Sequence, residues 1–160
     1  MNNERESKNY ESPVPYEPER IRAAAVYCSD GRFGEQVDDL LQNELGLPRY
    51  DRLAVPGGAA CLASHFPTYR EEEAAVEQLR FLVATHQLRR VVLVAHEDCA
   101  FYTHRLQVSP LQLETQQRED LKKGVRRVQS FGYLQVDAFF ARKHGDRIIF
   151  ELWWRSDGDY

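Results

Sequence analysis

The stretch VVLVAHEDC, residues 91–99, decides the fold class of this chain. Its first five residues are apolar on both faces of an extended strand, as expected of a central parallel strand that helices cover on both sides. In an open α/β sheet, the residues that follow such a strand lie at the edge where ligands bind. The stretch therefore predicts a buried parallel strand, Val91 to Ala95, that delivers His96 and Cys99 to a functional loop.

Short apolar runs alternate with amphipathic segments on both sides of this strand. That alternation is typical of a mostly parallel sheet flanked by helices, so we expect a three-layer α/β fold. The last two runs flank His144, Gly145 and Asp146, a connection short enough for a β-hairpin, which makes the last strand antiparallel. The other predicted strands are Ala23 to Cys28, Leu53 to Val55, Leu134 to Arg142 and Arg147 to Trp153.

Three amphipathic segments predict helices between the strands. The second helix opens with Thr68 and Glu71, which match a capping box. The third opens with Ser109 as the cap, Pro110 in the first turn and Gln112 three residues after the cap. The predicted buried stripes are Val37, Leu40, Leu41 and Leu45 in the first helix, Val76, Leu79, Val83 and His86 in the second, and Leu121, Val125 and Val128 in the third.

Length and composition fit one globular domain after a polar arm. Residues 1–20 are polar and rich in proline and cannot bury enough apolar area to offset the entropy cost of ordering, so we expect a flexible arm there and a single domain over residues 21–160. No apolar run approaches the roughly 20 residues that cross a bilayer, and no secretory signal is visible, so we expect a cytoplasmic protein without a membrane partner. The net charge of -4, with scattered basic residues, argues against nucleic acid as a partner.

Cys28 ends the first predicted strand, so it meets His96 and Cys99 if the first and central strands are neighbours. Zinc prefers thiolate sulfur and imidazole nitrogen, and a catalytic zinc site has three protein ligands with a fourth position open for water or substrate. Cys28, His96 and Cys99 form such a set. Two alternatives stay open: the cysteines are buried small hydrophobic residues beside an incidental histidine, or Cys61 joins as a fourth thiolate and closes the site.

Asp30 and Arg32 follow Cys28 closely enough to act beside the same metal. Asp30 can bind the metal in the fourth position, or it can accept a hydrogen bond from metal-bound hydroxide. Arg32 can hold the carboxylate in a bidentate ion pair, which keeps the pKa of the aspartate low and the side chain an acceptor at neutral pH.

Cys28-x-Asp30-x-Arg32 after the first strand and His96-x-x-Cys99 after a later one, in this order, resemble the hallmark of the β-class carbonic anhydrases. The resemblance implies a zinc enzyme that hydrates carbon dioxide reversibly to bicarbonate with zinc-bound hydroxide, assembled as a homodimer or a larger homo-oligomer. It also implies a parallel sheet with strand order 2-1-3-4-5. By matching position, the resemblance gives as zinc ligands Cys28, His96 and Cys99, and as the catalytic pair Asp30 and Arg32.

Gly57 lies where that family has the glycine of an Arg-Asn-Ala-Gly loop. The backbone N–H groups of Gly57 and Gly58 can point at an anion before the following helix, although a tight turn alone also explains the pair. We therefore take Gly57 and Gly58 as candidate substrate-binding residues.

Several neighbours of these motifs depart from the family pattern. Residues 54–56 are Ala, Val and Pro where the family has Arg, Asn and Ala. Ala100 replaces the glycine that follows the second cysteine, and Phe101 and Tyr102 add bulk beside the metal. These changes motivate a second hypothesis, a zinc-stabilised binding or regulatory protein with little or no turnover. Hydrolysis of carbonyl sulfide or carbon disulfide is a close chemical neighbour of the first hypothesis.

Overall fold

The apolar runs form one five-stranded sheet in the computed structural model, which describes residues 9–156. The strands are β1 (Ala23–Cys28), β2 (Asp51–Val55), β3 (Arg90–His96), β4 (Gln135–His144) and β5 (Arg147–Arg155). Their order is β2-β1-β3-β4-β5, with β1 to β4 parallel and β5 antiparallel to β4. The fold class and the strand order that the resemblance implies are both confirmed.

Helices in the described part of the chain cover both faces of this sheet. They are α1 (Gly34–Asp39), which continues as a wider π-type turn over Leu40–Glu44, α2 (Tyr69–Thr85) and α3 (Leu113–Gln129). Short connecting turns lie at Gly58–Leu62, Phe66–Thr68 and Phe101–Arg105. The predicted stripes face the core: every member is buried except Leu45, Val83 and His86, which are partly buried.

β1 and β3 lie in the middle of the sheet and are the strands that position the site. All six residues of β1 are buried, as are six of the seven residues of β3. Because successive side chains point to opposite faces, Val26 and Leu93 pack into the cluster that contains residues of α2 and α3, while Ala25 and Val92 pack into the cluster that contains residues of α1. Neither strand can shift by one residue without moving its side chains to the wrong face.

The capping box predicted at the start of α2 does not form. Thr68 precedes the helix, but its hydroxyl oxygen is buried without a hydrogen-bond partner. The Glu71 side chain pairs with Arg105, from the turn at Phe101–Arg105, instead of turning back to the helix start. The prediction is wrong because a charged partner from a distant segment competes for Glu71.

α3 begins three residues later than the sequence predicts, since its cap is Gln112 and not Ser109. The Ser109 hydroxyl donates to the Gln112 side chain at 3.2 Å, and the Gln112 N–H donates to the Ser109 carbonyl at 2.9 Å. Pro110 therefore lies in a turn that precedes the helix. The Ser109 hydroxyl accepts no hydrogen bond from a described backbone N–H of α3, because the helix begins beyond its reach.

Residues 9–20 contain no helix or strand, and Tyr10 and Tyr16 are exposed. Residues 1–8 of the predicted arm lie outside the described residues, and the division into an arm and a domain stays a prediction. Among residues 9–156, no helix combines the length and the hydropathy that a membrane crossing requires.

Candidate metal centre

The carboxyl ends of β1 and β3 meet at one edge of the sheet because the two strands are adjacent and parallel. Cys28 is the last residue of β1, and His96 is the last residue of β3. Asp98 has a φ of 54°, in the left-handed region, and the chain turns there before Cys99. The ligand atoms of Cys28, His96 and Cys99 lie within 4.8 Å of one another, and all three residues are buried.

The imidazole of His96 is oriented with one nitrogen free. Its Nδ1 donates to the carbonyl oxygen of Glu97 at 2.7 Å, which leaves Nε2 with its lone pair. Nε2 is buried and has no hydrogen-bond partner, a situation that costs free energy unless another group satisfies the atom. A cation held jointly by this nitrogen and the two cysteine sulfurs would satisfy it. Two thiols and an imidazole nitrogen are a donor set that fits zinc.

The two sulfur atoms are hydrogen-bonded to each other and to the backbone. The hydrogen bond with Cys99 lowers the pKa of the Cys28 thiol, although burial opposes the charge, and the backbone N–H groups of Asp30 and Gly57 lower it further. The same hydrogen bond raises the pKa of Cys99, because the pair shares one proton. One thiolate, the form of cysteine that binds metals, is therefore favoured before any metal arrives.

Asp30 is held by Arg32 as the sequence predicts. The guanidinium donates from Nε and Nη2 to the two carboxylate oxygens at 3.0 Å and 2.6 Å, and the Arg32 backbone N–H donates to Oδ1 at 3.0 Å. These hydrogen bonds lower the pKa of Asp30 to about 2. The carboxylate is ionised at neutral pH, and it is not among the mutually close ligand atoms of Cys28, His96 and Cys99.

Gly57 and Gly58 bring the next loop against the end of β1. Both take positive φ angles, 82° and 55°. A Cβ on Gly58 would lie 2.6 Å from the backbone nitrogen of Cys28, so only glycine allows this approach. The Gly57 N–H donates to the Cys28 sulfur. Substrate binding by the two glycines stays a prediction.

Phe101 occupies the space that the small residue at position 57 leaves. A Cβ on Gly57 would lie 2.5 Å from the Phe101 ring. Phe101 also lines a cavity of about 240 Å³ together with Val55 and Pro56, two of the residues that depart from the family loop. Val55, Pro56 and Phe101 are therefore neighbours in space.

Cys61 packs in the core cluster on the α2 and α3 face of the sheet, and it is not a member of the ligand group. Burial raises the pKa of its thiol to about 12, so it stays protonated. The fourth-thiolate alternative receives no support from the structure, and plain burial accounts for this cysteine.

A buried ionic cluster beside the site was not found from the sequence. His65 lies between two carboxylates, with Nδ1 2.6 Å from Glu72 Oε1 and Nε2 2.8 Å from Asp120 Oδ2. Glu72 and Asp120 are 2% and 1% exposed. Burial of the ring opposes its charge, but the hydrogen bonds to Asp120 and Glu72 prevail and raise the pKa of His65 to about 9. The imidazole is therefore charged at neutral pH.

Comparisons with known proteins agree with this fold. A family model described as "Putative carbonic anhydrase" matches residues 19–146. The β-carbonic anhydrase isoform I of Trichomonas vaginalis is 12% identical, with a TM-score of 0.55 over 87% of each chain. A carbonic anhydrase from Glaciozyma antarctica is 15% identical, with a TM-score of 0.52 over 81% of this chain and 80% of its own. Identities this low show a shared fold only. No curated protein sequence matches the chain.

Replacing Gly58 by alanine is expected to destabilise the protein by more than about 1–2 kcal/mol, the cost of a left-handed backbone for a residue with a Cβ. The clash with the Cys28 backbone adds to that cost. Gly34→Ala is the matched control, because a Cβ there meets nothing within 4 Å and alanine favours the helix. Urea unfolding measures both variants, and equal stabilities would contradict the close approach at Gly58.

The His65 imidazole is expected to titrate near pH 9 in the folded protein, above its ordinary value of 6.5. The folded state holds this proton more tightly than the unfolded chain does. The resulting stabilisation, on the order of 3 kcal/mol, is fully present below pH 6.5 and is lost as the pH rises through 9. NMR titration of the ring checks the pKa, and unfolding curves across this pH range check the loss. A ring that titrates below 6.5 would show that His65 is neutral and the assignment wrong.

Proposed function

Because the chain belongs to the carbonic anhydrase-like family whose model matches residues 19–146, we propose that it is a zinc-dependent lyase that hydrates carbon dioxide reversibly to bicarbonate. The observation that carries the proposal is the convergence of Cys28, His96 and Cys99, with ligand atoms within 4.8 Å and the His96 Nε2 buried without a partner. Those three residues would hold the metal and leave a fourth position for water or substrate.

Bound zinc supplies a Lewis acid that lowers the pKa of water, so that hydroxide is available near neutral pH. The chain supplies the groups that orient the reactants. The Asp30 carboxylate, ionised and held by three nitrogens of Arg32, the backbone N, Nε and Nη2, would accept a hydrogen bond from hydroxide at the metal. Its fixed position would orient that hydroxide toward the substrate, and its low pKa keeps the acceptor available at neutral and mildly acidic pH.

Carbon dioxide is the substrate that the family and the site favour together. It is small, linear and uncharged, so it needs an apolar approach and not a cationic clamp. Val55, Pro56 and Phe101 give the nearby cavity of about 240 Å³ an apolar wall. Carbonyl sulfide and carbon disulfide have the same shape and are the closest alternative substrates for this chemistry.

A second candidate function is zinc-stabilised binding or regulation with little turnover. The position of Phe101 favours it, because the ring fills the space over Gly57 beside the Cys28 end of β1. The two functions differ in turnover by the metal-loaded protein. We also propose self-association as a homodimer or a larger assembly, which the exposed apolar side chains of Phe66, Leu111 and Tyr133 support.

Zinc content is expected to follow the ligand set. Wild-type protein should carry about one zinc per chain, and Cys28→Ala or Cys99→Ala should lose most of it, because each removes one of three protein ligands. Cys61→Ala is the matched control: it deletes an equally buried thiol outside the ligand group and should keep the metal. Elemental analysis of the purified proteins decides the matter, and equal zinc in all three variants would refute the assignment.

Asp30→Asn is expected to lower kcat/KM for carbon dioxide hydration by about 10²–10⁴-fold, the usual contribution of a positioned proton acceptor, with zinc content unchanged. Asp146→Asn makes the same substitution at the exposed hairpin between β4 and β5 and should have no effect. Stopped-flow hydration assays measure both. A fully zinc-loaded wild type without turnover would contradict the lyase and support the second candidate function.

A further inference from the structure

The cluster of Glu72, His65 and Asp120 is the largest buried ionic feature of the described residues that the proposed chemistry does not use. Besides its two side-chain hydrogen bonds, the His65 backbone N–H donates to Glu72 Oε2 at 2.6 Å. Asp120 also accepts from Gln116 Nε2 at 2.9 Å, and Lys123 Nζ lies 3.8 Å from its Oδ1. These groups come from α2, α3 and the segment before α2, so the cluster ties three segments together.

Stability alone is a weak explanation for this cluster. Two carboxylates and an imidazolium must be desolvated to reach it, and apolar side chains of similar volume usually stabilise a core as well or better. Charged groups fix the orientation of their partners, because each hydrogen bond constrains an angle as well as a distance. Apolar contacts do not. The cluster can therefore fix the orientation of a neighbouring side chain.

Tyr102 is that neighbour. Its side chain is 1% exposed, and its hydroxyl donates to Asp120 Oδ2 at 2.9 Å. Its backbone N–H donates to the Cys99 carbonyl at 3.1 Å. One residue therefore links the ionic cluster to a member of the metal-binding group through two hydrogen bonds.

The same face of α3 holds the other half of the loop. Gln117, three residues before Asp120, donates from Nε2 to the His96 carbonyl at 2.7 Å. Gln117 is 1% exposed, so water does not compete for this contact. α3 therefore makes hydrogen bonds on both sides of Cys99: Gln117 bonds to the His96 carbonyl before it, and Asp120 bonds to the Tyr102 hydroxyl after it.

We propose that Asp120, itself held by His65, is a positioning residue for the metal centre: it fixes Tyr102 and thereby the turn that places the Cys99 sulfur. The inference rests on the proposed zinc site and adds to it an outer support that joins α2 and α3 to the metal loop. Outer partners of this kind typically change metal affinity by about 10–100-fold when they are removed.

Tyr102→Phe is the sharpest test, because it deletes one hydroxyl and leaves Asp120 its bonds to His65 and Gln116. Zinc affinity, measured by competition with a chelator, should fall about 10–100-fold. The absorption bands of the cobalt-substituted protein should also shift, since they report the geometry around the metal. Tyr50→Phe is the matched control: that hydroxyl is also buried and donates to a carboxylate, Asp38 at 2.6 Å, but on the α1 face of the sheet.

Substitutions of Asp120 separate positioning from general damage to the fold. Asp120→Asn keeps an oxygen that accepts from Tyr102 and should retain most of the affinity, whereas Asp120→Ala should weaken zinc binding as Tyr102→Phe does. Unfolding curves of the metal-free proteins show whether a variant is folded, so a loss of affinity is compared among folded proteins only.

The outcomes distinguish this inference from the function on which it rests. Weaker zinc binding and altered cobalt bands in Tyr102→Phe, with both unchanged in Tyr50→Phe, would support it. Two results would overturn the positioning role and leave the zinc site intact. In one, Tyr102→Phe and Tyr50→Phe both bind zinc as tightly as the wild type; in the other, both lose affinity equally. Wild-type protein that binds neither metal would contradict the proposed function and this inference together.

Discussion

The structure depends on two parallel strands ending side by side. Because β1 and β3 are neighbours, the last residue of each, Cys28 and His96, reaches the same edge, and a short turn returns Cys99 to it. The apolar residues that bury these strands also exclude water from the three ligand atoms. One atom of the group, Nε2 of His96, is buried and has no hydrogen-bond partner among the described residues.

Hydrogen bonds from the surrounding elements support this group. The backbone of Asp30 and Gly57 lies against the Cys28 sulfur and lowers the pKa of its thiol, and the Cys99 carbonyl accepts from the N–H groups of Tyr102 and Thr103 in the next turn. α3 adds side chains that hold the loop on either side of Cys99. A buried polar site is well ordered only when hydrogen bonds fix the direction of each side chain, and the neighbouring cluster of charged residues supplies such hydrogen bonds.

The sequence predicted the elements that depend on local pattern. The apolar run at residues 91–95, the hairpin and the buried stripes follow from periodicity, and they lie where they were expected except that Leu45, Val83 and His86 are only partly buried. The helix starts were less predictable, because Glu71 pairs with Arg105 from a distant segment and α3 begins after Gln112 and not after Ser109. The cluster of His65, Glu72 and Asp120 could not be predicted from the sequence. His65 and Asp120 are 55 residues apart, and only the packing of α2 against α3 brings them together. The departures at Val55, Pro56 and Phe101 were visible one by one, but only the structure shows that these three residues line one cavity.

Zinc-edge X-ray absorption on the purified protein tests the central claim most directly, because it reports the atoms that surround the metal. Two sulfur neighbours at about 2.3 Å and at least one nitrogen at about 2.0–2.1 Å are the result that a centre built from Cys28, Cys99 and His96 requires. A zinc ion surrounded by oxygen and nitrogen alone would contradict it, as would protein that takes up no zinc.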